Sequence, residues 1–144
     1  MKENNGGDYG IFLTISSIVI FIENRVQGKI NYEELERATG FSIAHIRDIF
    51  VRRTGIPLSK YILTRKISNA AYEILYNHQS ILHIASKYGF SNHDTFTRAF
   101  KRITGLTPSE FRKKRPPVGR IKLCACMFGI GLLNPAERED DNCE

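Results

Sequence analysis

The run His93-Asp94-Thr95-Phe96-Thr97-Arg98-Ala99-Phe100-Lys101-Arg102 sets short hydrogen-bonding groups and cations between apolar residues at helical spacing. With Phe96, Ala99, Phe100 and Ile103 on the core stripe of a helix, His93, Asp94, Thr97, Arg98 and Lys101 fall on the opposite face. The guanidinium fork of Arg98 matches both acceptors on the major-groove edge of guanine, a contact worth about 1 to 3 kcal/mol of base discrimination. Short polar groups in a helix's N-terminal half are the ones that meet base edges when the helix lies in the groove. An earlier run repeats the layout with different chemistry. There Ile46, Ile49 and Phe50 take the stripe, and Ala44, Arg47, Asp48 and Arg52 take the free face. A carboxylate such as Asp48 is repelled by phosphate unless it accepts a hydrogen bond from a cytosine amino group.

The remaining reactive residue types do not form arrangements of comparable meaning. Cys124-Ala125-Cys126 with distant Cys143 lacks a fourth ligand and a nearby histidine, so neither a metal nor a cofactor is expected. His45, His78 and His83 stand alone in the sequence. No pairing of nucleophile with base, glycine-rich phosphate loop or couple of carboxylates is evident, which argues against an enzyme.

The two candidate faces belong to one unit written twice. Gly40-Phe41-Ser42 leads through Phe50, Arg52, Thr54, Gly55 and Ser59 to Tyr61; Gly89-Phe90-Ser91 leads through Phe100, Arg102, Thr104, Gly105 and Ser109 to Phe111. The second copy carries one extra residue ahead of its Phe100. Such self-similarity marks a supersecondary unit used twice, and each copy reads as helix, tight turn, helix. An all-α fold of about seven helices is expected, with two helix-turn-helix subdomains joined by a long helix.

The punctuation of the chain sets the expected boundaries. Residues 1–10 read as a disordered N-terminus, followed by an apolar helix from Ile11 to about Val26. Asn31 with Glu34 forms a capping-box pattern for a short helix ending at Gly40, and Ser42 caps the next, which ends at Gly55. Pro57 suits the first position of the connecting helix, 57–77, whose core positions include Tyr61, Ile62, Ala70, Ile74 and Leu75. Ser80 and Ser91 are the expected caps of the following pair, and Thr107-Pro108-Ser109-Glu110 opens a final basic helix. The subdomains therefore span 11–55 and 80–115. Beyond Pro116-Pro117 the tail, 116–144, changes character: Ile121 to Leu133 is apolar without a clean period, and an acidic end follows. It reads as a tail of unknown role, either poorly ordered, a strand on the body, or the beginning of a further domain.

Bulk properties agree with a nucleic-acid partner without demanding one. The 144 residues carry a formal net charge of +6, and Arg47 to Lys66 holds six cations against Asp48 alone. The cysteines all lie in the tail, so no disulfide framework supports the repeated region, as suits a reducing cytoplasm. Ile11 to Ile22 is apolar but too short to span a bilayer.

From about Thr14 to Lys114 the chain resembles the DNA-binding region of the AraC/XylS family of bacterial transcription regulators, and most of all its small activators of the MarA/SoxS/Rob type. Gly40-Phe41-Ser42, Phe50, Thr54-Gly55, Tyr61 to Lys66, Ile84-Ala85, Gly89-Phe90, Thr95 to Lys101 and Pro108 to Arg112 carry the likeness. The resemblance implies two recognition helices inserted into one face of double-stranded promoter DNA, and an activator acting with RNA polymerase; because both units lie in one chain, binding as a monomer is expected. It adds Thr95 to the candidate base readers, giving Ala44, Arg47, Asp48, His93, Asp94, Thr95, Thr97 and Arg98. Ala44, Arg47 and Asp48 stand where that group has Trp, Gln and Arg, so Arg47 is expected to take over reading in the first unit. Phosphate contacts are expected from Arg52, Arg65, Lys101, Arg102 and Arg112 within the basic end at Arg112 to Arg115. The competing expectation is a protein-interaction module, or a truncated regulator with weak DNA binding.

Overall fold

The structure is a computed structural model that describes residues 5–116, in which seven helices and no strand are found. They are α1 (Asn5–Asn24), α2 (Tyr32–Thr39), α3 (Ile43–Thr54), α4 (Leu58–Tyr76), α5 (Ile81–Lys87), α6 (His93–Thr104) and α7 (Pro108–Lys114). The all-α architecture matches the reading of the sequence. The pairs α2–α3 and α5–α6 are the two helix-turn-helix units, and α4, with 19 residues and so about 28 Å long, joins them.

Each unit has its own core. Ile18 and Ile22 of α1, Leu35 of α2, Ile46 and Phe50 of α3, and Leu58, Tyr61 and Ile62 of α4 form the first. Ile67, Ala70, Ile74 and Leu75 of α4 meet Ile84 of α5, Phe96 and Phe100 of α6 and Phe111 of α7 in the second. There the rings form a chain, Phe90 to Phe96 at 5.1 Å, Phe96 to Phe100 at 5.6 Å and Phe100 to Phe111 at 5.3 Å between centroids. Offset and edge-on contacts at such distances add to the stabilisation from burial. The apolar stripes of α3 and α6 thus fix which way their free faces point.

Helices α3 and α6 end by the same device. The Thr54 hydroxyl donates to Phe50 O at 2.7 Å and accepts from Ile56 N at 3.1 Å. Thr104 does the same with Phe100 O at 2.8 Å and Leu106 N at 3.3 Å. The turn that leads into the next helix is thereby tied to the end of the last one.

Several expected helix starts are corrected. α1 begins at Asn5, inside the segment expected to be disordered, because a helix nucleated by an apolar stripe extends through glycines at about 1 kcal/mol per residue. Residues 1–4 lie outside the described residues. Asn92, not Ser91, caps α6, its carboxamide oxygen accepting from Asp94 N at 2.7 Å and Thr95 N at 3.4 Å. The extra residue of the second copy moves the helix start by one, and the asparagine oxygen reaches the second and third amides. The Asn31 cap is present, but Glu34 pairs with Arg25 at 3.3 Å instead of closing a capping box. Pro57 stands at the N-cap of α4, one residue before its first turn. At Thr107 the full capping box with Glu110 forms as expected.

The two units touch directly beside α4. Gly28 N donates to Lys87 O at 2.8 Å, and a Cβ on Gly89 would stand 2.4 Å from Gly28 O, an approach only glycine permits. Lys66 of α4 is buried at this junction, where its ammonium donates to Val26 O, Gly28 O and Tyr88 O. Burial pushes its pKa below the ordinary lysine value.

Candidate nucleic-acid interface

With Phe96, Ala99 and Phe100 buried, α6 presents His93, Asp94, Thr95, Arg98, Lys101 and Arg102 to solvent. Arg98 is held only by a long contact of its Nε with Asp94 O, 3.4 Å, so its guanidinium fork is available to a base edge. Thr97 does not join this face. It is half-buried, and its Oγ1 is screened from solvent with no hydrogen-bond partner, at the margin between the core stripe and the free face. Its hydroxyl is thus set back from the exposed groups of His93, Asp94, Thr95 and Arg98.

The free face of α3 carries Ala44, Arg47, Asp48, Val51 and Arg52, all exposed. Asp48 accepts from Arg52 Nε at 2.9 Å, one helical turn on. Both partners are exposed, so the pair adds little stability, but it sets a counter-charge beside the Arg52 guanidinium. Arg47 lies over the Tyr32 ring of α2, 5.3 Å from its centroid, which restricts its side chain without removing its hydrogen-bond donors. With Ala44 and Val51 exposed, the outward surface of α3 is more apolar than that of α6. Val51, 38% exposed, was not singled out by sequence reasoning, although it lies one turn beyond Arg47 on the same helix.

Two of the residues expected at phosphate, Arg65 and Arg112, make bonds within the fold. Arg65 makes a two-pronged pair with Glu23, Nε to Oε1 at 2.6 Å and Nη2 to Oε2 at 2.8 Å, and the Tyr61 hydroxyl donates to the same carboxylate at 3.0 Å. Burial pushes the Glu23 carboxyl up, but the hydrogen bonds and charge of Arg65 with the Tyr61 hydroxyl outweigh it and hold the group below its ordinary range. Arg112 reaches back from α7 to the end of α4, donating to Ile74 O at 3.1 Å, Asn77 O at 3.3 Å and Gln79 O at 2.7 Å. A cation there satisfies carbonyls that the helix end leaves without partners. Lys113, Lys114 and Arg115 are exposed and carry the charge of the basic end.

Sequence reasoning also missed Lys66. Its position four residues after Ile62 and four before Ala70 places it on the core stripe of α4, and that spacing was the available signal. Among the described residues no cluster of three or more His, Cys, Asp or Glu could hold a metal ion. No described helix is long and apolar enough to cross a membrane. The three cysteines and the segment from Ile121 to Leu133 lie outside the described residues.

A pair of helix-turn-helix units on one connecting helix, each turning an exposed face away from its own core, defines a bipartite helix-turn-helix protein. Comparison with known proteins makes the assignment closer. A helix-turn-helix domain family matches residues 35–114. The multiple antibiotic resistance protein MarA of Escherichia coli is 32% identical over 100 residues, which cover 69% of this chain and 79% of that protein. The HTH-type transcriptional activator AarP of Providencia stuartii is 31% identical over 98 residues, covering 68% and 73%. The C-terminal domain of AraT, a response regulator from Geobacillus stearothermophilus, superposes with a TM-score of 0.66 at 20% identity, covering 72% of this chain and 87% of that one. The chain belongs to the AraC/XylS family of DNA-binding transcription regulators.

Proposed function

We propose that the chain is a sequence-specific activator that binds promoter DNA as a monomer, with α3 and α6 in successive major-groove segments on one face of the duplex. The observation that carries this reading is the exposed set of Arg98, Lys101 and Arg102 on α6, whose aromatic stripe is locked in the core. Arg98 reads a guanine edge. His93, Asp94 and Thr95 crowd the N-terminal turn where a helix meets bases, and Lys101 and Arg102 hold phosphates. In α3, Arg47 is the principal reader, with Ala44 and Asp48 beside it and Arg52 turned to phosphate. Arg65 and Arg112 are left out because their guanidinium groups serve the fold. The activator role, with RNA polymerase as partner, rests on likeness to MarA and AarP. Work on DNA in the cytoplasm, without a cofactor and without catalysis, completes the reading.

Gel-shift titration at two salt concentrations tests it. Neutralising several phosphates makes the logarithm of the affinity fall linearly with the logarithm of salt, by about 0.9 for each phosphate contacted. Weak binding with no such slope would reject DNA reading altogether.

A second reading applies to the first unit alone. The Asp48–Arg52 pair and the apolar Val51 favour a face that meets another protein, such as polymerase, more than it meets DNA. Sites selected from random DNA separate the two readings. Two reading helices require two determinants about one turn, 10 base pairs or 34 Å, apart, and inserting five base pairs turns one of them to the opposite side. Affinity that ignores the insertion assigns α3 to a protein partner.

A further inference from the structure

We infer that Lys66 is the positioning residue that holds the two recognition helices in register, and so sets the spacing at which the two DNA determinants are read together. The inference rests on the reading of both α3 and α6 as DNA-contacting helices. Among the described residues the helix shared by both cores is α4, and its core positions change allegiance in its middle: Ile62 packs in the first core and Ile67 in the second. Lys66 lies at that boundary, 8% exposed.

An ammonium has three donors, and all three are used here on carbonyls from the two sides of the boundary. Val26 O, at 3.0 Å, and Gly28 O belong to the connection between α1 and α2. Tyr88 O, at 3.0 Å, belongs to the end of α5, which leads directly into the turn before α6. Around this centre the contact is closed by Gly28 N on Lys87 O at 2.8 Å and by the bare Cα of Gly89 against Gly28. The second unit is anchored to α4 through a further network, in which the Glu73 carboxylate accepts from Lys87 Nζ at 2.8 Å and from the Tyr88 hydroxyl at 2.6 Å. Val26 follows α1 in the first unit yet buries its side chain in the second core. Rotation of one unit against the other about α4 must therefore break the bonds of Lys66 and draw Val26 out of the second core.

Fixed geometry has a measurable effect, because the second helix to bind does so at an effective concentration set by how well the linkage matches the site. The test uses the full chain with Lys66→Met, which keeps the apolar stem and removes the donors. Probes are a selected two-determinant site, the same site with the α3 determinant scrambled, and two-determinant sites with the spacer changed by one or two base pairs. The variant is expected to lose about tenfold or more in affinity for the intact site, with no change on the scrambled one, and to tolerate altered spacers better than the wild type does. An undiminished advantage of the intact site, with an equally sharp spacer optimum, overturns the proposal. Wild-type chain that never prefers two determinants overturns the two-helix reading itself, an outcome visible before any variant is made. Should Lys66→Met fail to fold, amide hydrogen exchange on the unaltered chain decides. Protection of Gly28 N comparable to that of Ile67 N within α4 supports a locked junction, and exchange at the rate of an open loop refutes it.

Discussion

Replacing Arg98 by alanine should separate base reading from folding. The side chain is exposed, and its one internal contact is the 3.4 Å approach of Nε to Asp94 O, so removing it should alter stability by no more than about 0.5 kcal/mol. Loss of a two-pronged contact to guanine costs about 1 to 3 kcal/mol, which corresponds to about 5- to 150-fold in affinity for the selected site. Affinity for random DNA should fall far less. Lys101→Ala serves as the comparison: exposed on the same helix and placed at phosphate, it should weaken all sequences alike and lower the salt slope by about one. Gel shifts on selected and random duplexes at several salt concentrations, with thermal melts of each variant, supply every quantity needed. A base-reading role for Arg98 is refuted if Arg98→Ala and Lys101→Ala weaken selected and random DNA to the same degree, or if Arg98→Ala lowers the melting temperature as a core substitution does.

Arg112→Ala should destabilise the fold by about 2 kcal/mol, since Ile74 O in the last turn of α4 and Asn77 O and Gln79 O just beyond it lose a charged donor, yet leave the salt slope of DNA binding unchanged. A reduced slope with an unchanged melt would return Arg112 to the phosphate contacts. Glu23, held below its ordinary range, contributes stability that is present above about pH 4.3 and is lost as pH falls through its lowered folded value. Acid unfolding followed by circular dichroism should therefore be less steep in Glu23→Gln, though not flat, because the Glu73 carboxyl is lowered as well; an identical acid profile would contradict the role given to the Arg65 pair. A chain ending at Arg115 should bind DNA at least as tightly as the full chain, because both units and the basic helix end before Pro116 and an acidic terminus is repelled by phosphate. Loss of folding on that truncation would place the apolar stretch from Ile121 to Leu133 within the core.

Helix positions, the two-unit plan and the orientation of α3 and α6 were legible in the residues themselves, because each depends on local rules. Phe96, Phe100 and Ile103 recur at helical spacing, Gly55 and Gly105 end their helices, and Thr107 with Glu110 caps α7 through groups three residues apart. Wherever the deciding partner lies far along the chain, spacing carries no such information. Arg65 and Arg112 read as surface cations until folding sets Glu23 against the one and the last carbonyls of α4 against the other, 42 and 38 residues away. Thr97 read as a polar member of the free face, and only the angle at which α6 settles on its core turned the hydroxyl inward. Ser91 yielded to Asn92 because a single inserted residue moved the point at which the chain enters the helix. Lys66 is the clearest division between the two kinds of knowledge. Its place on the apolar stripe of α4 is written in the sequence, whereas the three carbonyls that make a buried ammonium tolerable come together only when two subdomains close around it.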